Sequence, residues 1–301
     1  MTHQPLPQPQ TPEALARRLL RSAASHSYDP MADIDWEAPL QEGAWFCVPE
    51  RLSLYGTPLW ERMDERQRIE LSRHEFASLA GVGGWLELCL IQMLARYLAS
   101  RDLKDPRTHY ALNEIGDETR HVTMFGLLHR KLDCPDYGPP AYLRHVFAVG
   151  SMAFQDLTTF ALTLVTEEVL DRFQREIARD ERVQPLIRRI CHIHVVEEAR
   201  HVSFARTELR SAVARASVSR RAVHRQLTAL AASLDVPCLL DPGIYRAVGL
   251  DPVEARRQAR SNPHYRQTLL WSGEKLIAFL TEVGMIGRAQ RLLWRRSGLM
   301  R

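Results

Sequence analysis

The chain has 301 residues, 45% hydrophobic and 25% charged, which suffices for one large buried core without division into domains. Its formal charge is +4, but 37 residues are arginine and only 3 are lysine. They are scattered among Asp and Glu, not gathered into one stripe, which argues against nucleic-acid binding. Five cysteines (Cys47, Cys89, Cys134, Cys191, Cys238) without a Cys-x-x-Cys spacing argue against a disulfide framework and against a structural zinc or iron–sulfur site.

In chain order, the polar, proline-rich opening MTHQPLPQPQ lacks the apolar core of a signal peptide and is expected to be a disordered tail over residues 1–10. Residues 11–301 are expected to form a single all-α domain. Residues 11–25 read as a short amphipathic helix, and 33–55, rich in Trp, Pro and Gly, as an ordered arm wrapped on the body. Four long helical stretches follow, at about 64–100 (Asp64 as N-cap), 106–132 (Pro106 in the first turn), 141–179 (with a possible break at Gly150-Ser151) and 183–216. Together they make a ferritin-like four-helix bundle core over about 64–216, with additional N- and C-terminal helices. The apolar stretch Val146 to Val165 carries Gln155 and Asp156, so a buried bundle helix explains it better than a membrane span. Beyond Ala216 come shorter helices, broken near Pro237, Asp241-Pro242-Gly243, Asp251-Pro252 and Asn262-Pro263, and a helical, basic last 30 residues. A cytoplasmic protein without membrane contact is the expectation.

Chemistry enters with two signatures, Asp117-Glu118-Thr119-Arg120-His121 and Glu197-Glu198-Ala199-Arg200-His201. Residues three apart share a helix face, so each Glu-x-x-His points both side chains one way. About one such pair arises by chance in a chain with 21 Glu and 12 His, but here each has a glutamate 31 positions upstream, Glu87 and Glu167. With about 13 residues on each side of a turn, at about 1.5 Å per residue, both carboxylates of an antiparallel pair reach the same height. Glu, Glu-x-x-His, Glu and Glu-x-x-His from four helices is the ligand set of carboxylate-bridged di-iron and di-manganese bundles. Oxygen and imidazole donors suit iron, with manganese as the alternative. Glu118 and Glu198 are the bridging candidates, His121 and His201 bind one metal each, and Glu87 and Glu167 are terminal. The 31-residue symmetry selects Glu167 over Glu168. Asp117 is expected to hold His201, and Glu197 to hold His121, across the bundle. Ordinary ion pairs to Arg120 or Arg200 are the alternative for both acids. His194 lies four residues before Glu198 and seven before His201, on their helix face. Spacing alone leaves it open between a seventh ligand and a core histidine. His192 points elsewhere.

The runs His194-Val195-Val196-Glu197-Glu198-Ala199-Arg200-His201-Val202-Ser203-Phe204-Ala205-Arg206 and Tyr110-Ala111-Leu112-Asn113-Glu114-Ile115-Gly116-Asp117-Glu118-Thr119-Arg120-His121 resemble the p-aminobenzoate N-oxygenase (AurF-like) family. So do Glu167-Glu168-Val169-Leu170-Asp171 and the arm Asp33-Ile34-Asp35-Trp36-Glu37-Ala38-Pro39; the resemblance spans about residues 30–215. It implies a site of four glutamates and three histidines, with His194 as the extra histidine. It also implies a centre of two iron ions that, once reduced, activates O2 and oxidises an amine nitrogen toward hydroxylamine, nitroso or nitro. The expected partners are a small-molecule amine, O2 and an external reductase or ferredoxin, with a homodimer as the assembly. A C–H hydroxylase or desaturase on the same centre is the rival reading, because fold and metal do not dictate substrate. A ferritin-like iron-binding protein is a further one, although the long arm and C-terminal helices argue against it.

Overall fold

The computed structural model describes residues 11–151 and 154–301, so the expected tail at 1–10 lies outside the described residues. Helices account for most of the chain: α1 (Pro12–Ser25), α2 (Pro58–Arg62), α3 (Glu65–Leu98), α4 (Pro106–Leu132), α5 (Ala141–Gly150), α6 (Asp156–Ile177), α7 (Pro185–Arg215), α8 (Val218–Asp235), α9 (Gly243–Ala247), α10 (Pro252–Ser261), α11 (Pro263–Glu282) and α12 (Arg291–Arg296). Their starts follow the local chemistry. Asp64 accepts from the Gln67 amide at the head of α3, and Asp105 accepts from the Arg107 amide while Pro106 fills the first position of α4, where no amide hydrogen is needed. Among the described residues there is no strand, only an isolated parallel bridge between Trp45 and Val183.

α3 packs along α4 and α6 along α7, and the two pairs meet to close an all-α, ferritin-like bundle. α1 lies across α4 and α7, while α8 and α11 cover α6. Two apolar clusters fill the interior. One is built around Leu90, Leu94, Tyr110, Phe160 and Phe204, the other around Leu52, Leu71, Met124, Leu128 and Ile187. The arm enters the second cluster through Phe46, Cys47, Val48, Leu52 and Leu54. It is fixed to the start of α7 by Gln184, whose side chain accepts from the Gln41 amide and donates to the Gln41 carbonyl, both at 2.8 Å. Gly81 on α3 is required by close approach, since a Cβ there would lie 2.0 Å from the Tyr137 carbonyl oxygen of the segment between α4 and α5.

Two expectations need correction. Val146 to Val165 is not one buried helix. α5 ends at Gly150 with Val146 and Val149 exposed, and only α6, from Asp156, is buried as a bundle helix. The last 30 residues are not continuously helical either: α11 stops at Glu282, Gly284 takes a left-handed φ of 72°, and a 3-10 turn at Arg288–Gln290 leads into the short α12. By length and composition α3 is apolar enough to cross a membrane, as is the segment Val218–Ala247. In α3 that apolarity is spent on the core, where Leu86, Leu90 and Leu94 are buried beside Glu87.

One buried acid in this framework has a testable energetic signature. Glu75 accepts from the backbone and hydroxyl of Ser53, yet burial outweighs those bonds and pushes its carboxyl from 4.5 up to about 7. The folded protein therefore holds a proton that the unfolded chain has released between those values. The resulting stability is fully present below about pH 4.5 and is lost as pH rises through about 7. Buried Asp235, pushed up to about 7, adds a slope of the same sign. Glu75→Gln should remove about 3 kcal/mol of this pH dependence in urea unfolding across that window. An unchanged slope would show that Glu75 titrates normally.

Candidate metal centre

The two antiparallel pairs bring Glu87, Glu118, His121, Glu167, His194, Glu198 and His201 together at mid-height of the bundle, all of them buried. The imidazoles of His121 and His201 present Nδ1 to the cluster. Glu118 places Oε2 2.9 Å from Nδ1 of His121 and Oε1 2.9 Å from Nδ1 of His201. Glu198 does the mirror image, with Oε1 3.1 Å from His121 and Oε2 2.9 Å from His201. Each carboxylate thus offers one oxygen to each half of the site, which is the geometry a bridging ligand needs. The rings of His121 and His201 are 6.1 Å apart.

Each Nε2 faces outward to an acid on the opposite pair. His121 meets Glu197 at 2.9 Å, and His201 meets Asp117 at 3.1 Å. Fixing the outer nitrogen of an imidazole sets its tautomer and orientation. The ion pairs weighed as the alternative are also present, because Arg120 and Arg200 each reach both Asp117 and Glu197. The chain after α1 closes this layer: the Tyr28 amide donates to Glu197, Arg200 donates to the His26 carbonyl and Arg120 to the Ser27 hydroxyl.

Neighbouring acids are sorted by their partners. Glu168 is held by Arg206 through two bonds of 2.6 Å, whereas Glu167 turns into the cluster with Oε1 free of any partner. His194 lies inside the cluster: Nε2 is 3.3 Å from Glu87 and 3.7 Å from Glu198, while Gln174 fixes Nδ1 at 2.7 Å. His192 is exposed, away from the cluster. Glu114, one turn before Glu118, was not singled out from sequence. It is fully buried, and one of its oxygens lies within 4.8 Å of ligating atoms of Glu118 and His201.

Charge in this centre is redistributed by burial and proximity. Burial, then Glu118 and Glu198, pushes Glu87 well above the carboxylate range; burial, then Glu198 and Glu87, does the same to Glu167. Against burial, hydrogen bonds to Glu118, Glu197 and Glu198 hold the His121 imidazolium well above its usual range, and the charges of Glu198 and Glu118 do so for His201. Against burial and their mutual repulsion, the same imidazoles keep Glu118 and Glu198 low. His194 is pushed down to about 4 by burial and the charge of His121, so it is neutral with a lone pair available.

Protons therefore do here what cations would do, and incompletely. Buried oxygens of Glu87 and Glu167 retain no hydrogen-bond donor. An isolated buried carboxylate costs several kcal/mol, so these orphaned atoms fit a metal pair. The donor set, carboxylate oxygen with imidazole nitrogen, fits iron or manganese.

Beside Glu87, Glu167 and His194 lies an apolar cavity with a water-accessible volume of about 30 Å³, walled by Phe76, Leu79, Phe125, Leu170 and Phe173. It shares Leu79, Leu170, Phe173 and Ile177 with a second small cavity that reaches Arg51 and Glu75. The residues around the first cavity come from α3, α4, α6 and α7, so no local pattern announced it.

Residues 9–284 match the family described as p-aminobenzoate N-oxygenase AurF. The uncharacterized protein MT0908 of Mycobacterium tuberculosis is 27% identical over 290 residues, which cover 92% of this chain and 84% of the relative. The uncharacterized protein Mb0909 of Mycobacterium bovis is 29% identical over 204 residues, 65% of this chain and 60% of that relative. With nearly the whole length matched, and with both Glu-x-x-His pairs facing each other in a buried carboxylate–imidazole cluster, the chain belongs to the p-aminobenzoate N-oxygenase AurF family.

Proposed function

We propose that this protein is a di-iron oxygenase that inserts an oxygen atom from O2 into an amine nitrogen, with an arylamine as the substrate class. The single observation that carries the reading is the pair Glu118 and Glu198, each spanning Nδ1 of both His121 and His201. Glu118 and Glu198 would bridge the two ions, His121 and His201 would bind one each, Glu87 and Glu167 would close the set, and His194 would add a third nitrogen. Four carboxylates balance the charge of two divalent ions, which suits so deeply buried a set. When bound and reduced, the two irons supply electrons to O2 for oxygen transfer to nitrogen.

The first oxidation balances as amine plus O2 plus two electrons and two protons, giving hydroxylamine and water. The chain carries no Gly-x-Gly-x-x-Gly dinucleotide fingerprint and no cysteine cluster, so the electrons come from a separate reductase or ferredoxin. His121 and His201 are held by Glu197 and Asp117, which keeps both Nδ1 atoms aimed at the metals through turnover. The apolar wall of Leu79, Phe125, Leu170 and Phe173 excludes water from the face bearing His194 and suits an aromatic ring. The cavity is large enough for O2 as it stands, and an arylamine enters only when these side chains move apart.

Anaerobic Fe(II) titration of metal-free protein tests the reading. Two ions per chain should bind, with protons released into weak buffer as iron displaces them from Glu87, Glu167 and the imidazoles. Binding of one ion, or of none, would remove the basis for the proposed chemistry.

A further inference from the structure

Glu114 has no role in the reading above, yet it is 0% exposed and neither of its carboxyl oxygens has a hydrogen-bond partner. A buried acid without a partner is costly, and the α4 position it occupies is otherwise suited to an apolar side chain. Its location is specific. It stands four residues before Glu118 and seven before His121 on α4, as His194 stands four before Glu198 and seven before His201 on α7. The pseudo-two-fold relation of the two pairs therefore makes Glu114 the counterpart of His194. The surroundings agree, since donor atoms of Glu87, His121, His194 and Glu198 lie within 4.8 Å of one another, and so do those of Glu114, Glu118 and His201.

We propose that Glu114 is an eighth protein ligand of the centre, binding the ion held by His201 at the position that His194 occupies on the ion held by His121. The inference rests on the di-metal reading and adds an asymmetry to it. The ion at His121 receives two imidazole nitrogens, whereas the ion at His201 receives one imidazole and an additional carboxylate. Hard anionic oxygen favours the higher oxidation state and manganese over softer metals. The two ions are thus unequal in affinity and in electronic character, with the His201 ion the harder of the pair.

The test uses metal-free full-length protein and its Glu114→Gln and Glu114→Leu variants, titrated with Co(II), whose visible absorption intensifies as coordination number falls. Wild type should bind two ions with distinct spectra. In both variants one ion should bind as before, and the other should bind about tenfold or more weakly, with a more intense spectrum. The metal-free Glu114→Leu protein should melt higher than wild type, because a buried acid without partners has been replaced by an apolar side chain. Unchanged affinities and spectra in both variants would overturn the proposal, as would metal-free variants that fail to fold. Failure of the wild type itself to bind two ions would instead strike at the di-metal reading.

Discussion

Glu118→Ala is expected to lose at least one iron per chain and to reduce amine oxidation at least about 100-fold. The reason is geometric: one carboxylate serves both halves of the site, at 2.9 Å from His121 and 2.9 Å from His201, so its removal depletes both ions at once. Metal-free protein should suffer as well. Glu118 is one of two anions that lie between the two imidazolium rings, and deleting one partner of a buried ionic set costs about 3–5 kcal/mol. Iron content, turnover and the denaturation midpoint of the metal-free protein check the three parts separately. Two irons and full activity in the variant would refute the bridging assignment.

His194→Ala is expected to separate metal binding from chemistry. Six of the seven ligands assigned from sequence remain and alanine is the better helix former, so α7 and most of the iron should persist. Activity should fall about 10- to 100-fold, or the oxidation should move from nitrogen to another position. His194 is neutral and Gln174 fixes its outer nitrogen, so its Nε2 is presented as a lone-pair donor on the cavity side of the cluster. A variant with wild-type iron content and wild-type N-oxygenation would make His194 a core histidine.

The fold was legible where side-chain periodicity and capping agree. Asp64, as an N-cap accepting a backbone hydrogen bond, and Pro106, in a first turn, mark helix starts, and the equal 31-residue spacings encode the matched height of the two pairs. Asp117 and Glu197 were also readable, because an acid preceding a ligand on one helix faces the histidine of its symmetry mate. Glu114 was missed because a lone glutamate has no motif of its own. The available signal was its register with His194, four residues before each bridging carboxylate. Closure of the outer layer by His26, Ser27 and Tyr28 was beyond reach, since it joins segments separated by up to 174 positions through one amide, one hydroxyl and one carbonyl. The break between α5 and α6 was only half visible, because an apolar composition does not reveal which face is covered.

The central claim is oxygen transfer to nitrogen at the centre formed by Glu87, Glu118, His121, Glu167, His194, Glu198 and His201. Iron-loaded protein, reduced and supplied with an external electron donor under isotopically labelled O2, should convert members of an arylamine panel to products carrying the label on nitrogen. Products labelled on carbon instead, or O2 consumed with no amine oxidised across the panel, would contradict it.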